Sequence, residues 1–376
     1  MKTKNLKSIA LGLLAVIFFQ SCSEEPLLVK NESETIIPEQ FRVEIPSSLS
    51  DDNVLKSSLK STSAEYDTLS GKDIYGHLRH FIRIGDNSAE LIEQMLMSIA
   101  VHKINRPITM SYVSDDDGKL KNLVVTTDEY YEGIPWQYKL VITDAESEGN
   151  PDKGKAIELF WNRDPVKGIA TLKPFNINKN ETRNPETIFR VDYGETSEYG
   201  YDRWMIVSVS GLPLERPAVD PYSIDNLKMF VGRTGDIVDV YGNSNHPNAT
   251  FFDPAVKGFN WAFVASSNRM LDIGVAEIGL PYSYINASTA DVILKEYSIK
   301  NVFEREIKAQ WGDWISQEAI DAYLANTEAP GYFDQFGFVA AGTAPSDDYT
   351  EIERSISNLV PYSPKAIAEL ELSFSE

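Results

Sequence analysis

Cysteine is nearly missing from this chain, occurring once, at Cys22. A lone thiol forms no intramolecular disulfide, and the body downstream of it has neither thiolate metal ligands nor a cysteine nucleophile, so stability must come from a buried core. Histidine is almost as scarce, with 4 residues. Positive charge is also short: 35 Lys and Arg stand against 56 Asp and Glu, a formal net charge of −21. That balance argues against nucleic-acid binding, which needs a basic surface to neutralise phosphates, and against attraction to an anionic lipid surface. There is no Gly-x-Ser-x-Gly elbow, His-Glu-x-x-His helix, Walker loop or Gly-rich dinucleotide turn, so no cofactor and no metal is implied. Nor is there a repeat of fixed period to suggest a solenoid or propeller.

What the chain does have begins at its N-terminus. Lys2, Lys4 and Lys7 precede an apolar run over 9–19, too short to cross a bilayer with margin, and Gln20-Ser21-Cys22-Ser23-Glu24-Glu25 follows. This reads as a secretory signal over 1–21. Cys22 after small Ser21 resembles the lipobox of bacterial lipoproteins, and Ser23-Glu24-Glu25 resembles the acidic export tag of surface lipoproteins of the Bacteroidetes type. The resemblance implies diacylation of Cys22, which becomes the new N-terminus, and a lipid-anchored place in the outer membrane, exposed on the cell surface. Loss of 1–21 removes three lysines and no acid, taking the charge from −21 to −24. Attachment must then come from the acyl chains, at about 0.8 kcal/mol per buried CH₂.

Residues 22–70 mix Ser, Thr, Glu, Asp, Lys and Pro without sustained periodicity and read as a flexible tether. Within it, Asp67-Thr68-Leu69 resembles the Bacteroidetes O-glycosylation acceptor, which would modify Thr68. The body is expected over 71–376 as a single unit, with a candidate sub-boundary near 211–226. Asn87 with Glu90 suggests a capping box, and Leu91, Ile92, Met95, Leu96, Ile99 and Ala100 form one apolar stripe, predicting an amphipathic helix over 88–104.

Strands are expected at 108–113, 120–126, 137–143, 156–161, 168–175, 187–193, 204–210, 227–231, 236–241, 259–265 and 272–278. Short polar links make successive strands antiparallel. Helices are expected at 291–303, 316–325 with Ser316 as N-cap, and 346–358, then a last strand over 368–374. The expected class is α+β: a curved antiparallel meander, half-barrel-like by analogy with lipoprotein carriers, packed on the amphipathic helix, with a more helical C-terminal part.

Two clusters are candidate ligand sites. Trp136, Trp161, Trp204 and Trp261 lie in or beside predicted strands, where rings can line a cavity or stack on sugars, or fill a core. Asn243, Asn245 and His246 belong to a polar run, 242–248, expected as a loop after a strand. The function these features favour is non-enzymatic binding of a glycan, an apolar small molecule or an envelope protein. A glycan hydrolase with paired carboxylates and a structural or adhesive subunit remain open.

Overall fold

The computed structural model describes residues 36–50, 71–102, 104–182, 185–216 and 219–376. Cys22, Thr68 and the signal over 1–21 lie outside them. The fold is α+β, built on an open antiparallel meander of thirteen strands whose spatial order is their chain order.

A helix, α1 (Gly71–Ala100), opens the body. It runs straight through the expected start at Asn87, because the apolar stripe continues upstream: Ile74, Leu78, Phe81 and Ile82 are buried in register with Ala89, Ile92, Leu96 and Ile99. Nor are the polar residues around Asn87 free to stop it. Asp86 is held by Arg83 and Arg42, and the Ser88 hydroxyl bonds back to the Ile84 carbonyl.

The described residues cluster into two compact units. The first comprises 36–41, 89–194 and 373–376. It contains β1 (Ile108–Val113), β2 (Leu120–Tyr131), β3 (Ile134–Asp144), β4 (Lys155–Arg163), β5 (Val166–Leu172), a short helix α2 (Pro174–Ile177) and β6 (Ile188–Gly194). Pro174 ends the strand expected to reach 175, since proline cannot donate to a ladder but suits the first turn of a helix. Leu123, Val125, Leu140, Ile142, Ile157, Leu159, Ile169 and Leu172 supply the core.

The second unit comprises 42–50, 71–88 and 195–372. Its strands are β7 (Arg203–Ser210), β8 (Asn226–Thr234), β9 (Ile237–His246), β10 (Phe259–Asn268), β11 (Ile273–Gly279), β12 (Gly331–Asp334) and β13 (Gly337–Ala341). Between β11 and β12 come a π-helical turn (Asp291–Glu296), α3 (Ile299–Trp311) and α4 (Gln317–Tyr323), and after β13 come α5 (Thr350–Ile356) and α6 (Pro364–Ala368). Ser316 caps α4 as expected, accepting from the Ala319 amide. The single helix expected over 291–303 is interrupted at Ser298, which instead caps α3 by accepting from Asn301. Gly85 lets α1 lie directly on β8, since a Cβ there would collide with the Met229 side chain.

Three further features depart from the sequence expectation. Of the segment read as tether, residues 36–50 are packed: Ile36, Ile37 and Phe41 are buried in the first unit, and Val43, Ile45 and Leu49 in the second. The Trp161 indole N–H donates to the Ile36 carbonyl at 2.7 Å, and Glu93 accepts from the Phe41 amide at 2.9 Å. The hairpin β12–β13 has no counterpart in the sequence expectation, because its strands are short and flanked by glycine; Asp334 accepts from the Phe336 and Gly337 amides to close its turn.

The strand expected over 368–374 does not form. Its alternation survives only as burial, with Leu370, Leu372 and Phe374 half-buried and Glu371 and Ser373 exposed. In the first unit β4 already has β3 and β5 as neighbours, so the tail there finds no edge and is held by side chains. Glu158 accepts from the Ser375 amide and hydroxyl, and Lys155 donates to its carbonyl at 2.7 Å.

Candidate binding surface

The four strand tryptophans are all buried, and they divide between the two units. Trp136 packs with Phe160 and Ile169 and donates to the Tyr131 carbonyl at 3.2 Å. Trp161 stacks on Tyr138. Trp204 meets Tyr199 edge-on and donates to the Thr196 hydroxyl. Trp261 sits among Tyr222, Phe251, Phe81 and His246, its indole N–H buried without a hydrogen-bond partner among the described residues. These rings fill interiors rather than line an open cavity. A strand covered on both faces buries both of its side-chain rows, and alternation in the sequence does not reveal that covering.

Asn243, Asn245 and His246 are buried as well, because β9 continues through them instead of ending at 241. Asn226, Asn245 and Asn260 face one another across β8, β9 and β10. Their amides hold the C-terminal segment and each other: Asn226 Nδ2 donates to the Ile367 carbonyl at 3.1 Å, Asn243 Nδ2 to Tyr362 at 3.1 Å, and Asn260 Nδ2 to Asn245 Oδ1 at 3.3 Å. This is a fastening for residues 362–368, with every side chain covered.

His246 points to the opposite face, toward α1, and contacts Phe81. Its Nδ1 lies 2.7 Å from the Tyr222 carbonyl, which can only accept, so Nδ1 carries the proton and Nε2 accepts from the Ser244 hydroxyl. Burial, with His77 and His80 nearby, pushes its pKa down to about 3. His77 bonds the Asp73 carbonyl through Nδ1 and joins the same aromatic cluster. Among the described residues, no group of three or more His, Cys, Asp or Glu is arranged to hold a metal ion.

The accessible tryptophans lie elsewhere. Helix α3 buries Ile299, Val302, Phe303, Glu306 and Ile307 on one face. Trp311, four residues after Ile307, ends that face and is 39% exposed, while Trp314 in the turn beyond it is 96% exposed. Gly312, with φ at +53°, turns the chain, and its amide caps α3 on the Lys308 carbonyl. Trp311 is braced edge-on by Phe252, which itself packs against Phe303 and Tyr323. The surrounding positions are polar and acidic: Asp313, Ser316, Gln317, Glu318 and Asp321 are exposed, and the Lys308 ammonium is held by Glu304.

The result is a firm ring, a free ring beside it and a fringe of hydrogen-bond acceptors. Strand patterning in the sequence favours Trp136, Trp161, Trp204 and Trp261 over these two tryptophans. Helical spacing was the available signal, since Trp314 falls past the buried stripe of α3 and before the N-cap of α4. No family model, no curated protein and no solved structure matches this chain.

Proposed function

We propose that this chain is a non-enzymatic binding lipoprotein, anchored in the outer membrane through acylated Cys22, displayed on the cell surface, and holding a neutral glycan on the Trp311–Trp314 turn. The observation that carries the reading is the almost complete exposure of Trp314 beside the braced Trp311.

A fully exposed indole contributes nothing to a core and keeps both π-faces available for the C–H face of a sugar ring. Carboxylates and amides next to it accept from hydroxyl groups, and their charge disfavours anionic sugars and anionic lipid. An apolar small molecule has less support, because the strand aromatics that would enclose it are packed against protein. An envelope-protein partner would be met by a broader apolar patch than two rings set among acids. The hydrolase and adhesive-subunit alternatives have no comparable observation behind them. No helix among the described residues is long and apolar enough to cross a membrane, and the proposed anchor rests on the lipobox-like sequence at Cys22.

Two measurements test the reading. Cys22→Ala should move the protein from the membrane pellet to the soluble fraction of fractionated cells, and retention in the pellet would refute the lipid anchor. On an array of neutral and acidic polysaccharides, the purified protein should bind neutral chains. Trp314→Ala should weaken that binding at least about tenfold, equivalent to ~1.4 kcal/mol, with stability within about 0.5 kcal/mol of wild type, as for other exposed positions. Unchanged binding in Trp314→Ala would remove the site.

A further inference from the structure

We propose a second site, independent of the tryptophan turn, that takes a small oxyanion between Arg203 and Arg233. The two arginines are directly opposed across β7 and β8. Like charges in that relation are destabilising, so a chain rich in acids has placed two cations where they oppose folding.

Their partners leave one guanidinium uncommitted. Arg203 Nε lies 3.3 Å from Glu195. Arg233 spends its Nε on the Gly235 carbonyl at 2.9 Å and forms no ion pair among the described residues, leaving both terminal nitrogens as donors. Asp202, beside the turn, is already engaged: it accepts from the Gly235 amide at 3.2 Å, while its own amide donates to the Arg233 carbonyl at 2.9 Å. Gly235, with φ at +57°, makes that tight arrangement possible.

Asp202, Arg203, Arg233 and Gly235 border a half-open surface depression of about 240 Å³. This is below the range of drug-sized ligand sites and suits a carboxylate, sulfate or phosphate group with its waters. Arginine's planar fork matches such oxyanions bidentately, and one bound anion would cancel the repulsion between the two strands. Glu195 and Asp202 offset the charge of the pair, so affinity depends on this geometry, and a Kd of about 1 mM is expected.

The test is thermal unfolding of the full chain in non-ionic detergent, comparing sodium sulfate, phosphate and acetate with chloride at equal ionic strength. Wild type should show a Tm increase over chloride that saturates with at least one oxyanion. Tetrahedral and planar anions are separate arms, and the stronger one names the ligand group. Arg233→Met should abolish the oxyanion-specific increase, while its Tm in chloride should equal or exceed wild type because a repulsion has been removed. Arg203→Met should weaken the increase in the same way. Trp314→Ala should keep it in full, which separates this site from the glycan reading. Equal shifts in wild type and Arg233→Met, or no shift in wild type at about 50 mM, ~50 times the expected Kd, would overturn the proposal.

Discussion

Lys121→Ala is expected to destabilise the first unit by about 3–5 kcal/mol, the usual cost of removing one partner from a buried ion network. The Lys121 ammonium is buried and places its three donors on Asp117 at 2.9 Å, Asp144 at 3.0 Å and the Asn176 carbonyl at 3.0 Å. Asp144 is fully buried, accepts from the Ser147 hydroxyl, and lies 3.6 Å from the Lys179 ammonium. Asp117 also takes the Lys179 and Lys119 amides.

Burial works against both carboxylates. Even so, the Ser147 hydroxyl and Lys121 hold Asp144, and the Lys179 amide and Lys121 hold Asp117, below the ordinary carboxylate range. Without the ammonium, two enclosed negative charges remain with reduced compensation. Removing charge from both sides is gentler, so Lys121→Met with Asp144→Leu should lose less than the two single changes summed. Urea unfolding followed through Trp136 and Trp161 fluorescence measures this, and a loss below about 1 kcal/mol for Lys121→Ala would contradict the network account.

The second large effect is acid sensitivity from His246. Its folded pKa of about 3 lies below the ordinary histidine value, so between these limits the unfolded chain holds the extra proton. Stability from this residue is therefore full above about pH 6.5 and falls as the pH drops, by ~2 kcal/mol at pH 5. The loss levels off below pH 3. Asp117 and Asp144, held below the ordinary carboxylate range, lose their contribution only below about pH 5, so they leave the pH 7 to 5 window clear.

Glu277 and Glu306 act in the opposite sense, because burial raises both and the folded state protonates first as pH falls. The difference between wild type and His246→Gln isolates the histidine. The variant should be less stable at pH 7, having lost ring contacts with Phe81 and Trp261, but its urea midpoint should fall less between pH 7 and 5. Parallel pH curves for the two proteins would show that His246 does not titrate as its burial requires.

These two networks also mark where sequence reading reached its limit. Asp115-Asp116-Asp117-Gly118 is legible as an acidic hairpin tip, but Lys121 and Asp144 meet only through the register of β2 and β3. The polar run after residue 241 reads as a loop in the sequence because Asn and Ser are strong turn formers. Flanking strands override that tendency once they offer a complete ladder, and β8 and β10 offer it as far as Asn245 and His246.

Sequence alone determined the succession of β1 to β11, because polar turns at short intervals permit only antiparallel neighbours. It also determined the absence of a thiol framework and the strongly acidic character. Tertiary structure alone decided which aromatics are available. Trp136, Trp161, Trp204 and Trp261 are buried, whereas Trp314, in the turn between α3 and α4, is left exposed. A residue's accessibility depends on what packs over it, and that information lies in long-range contacts that local pattern does not contain.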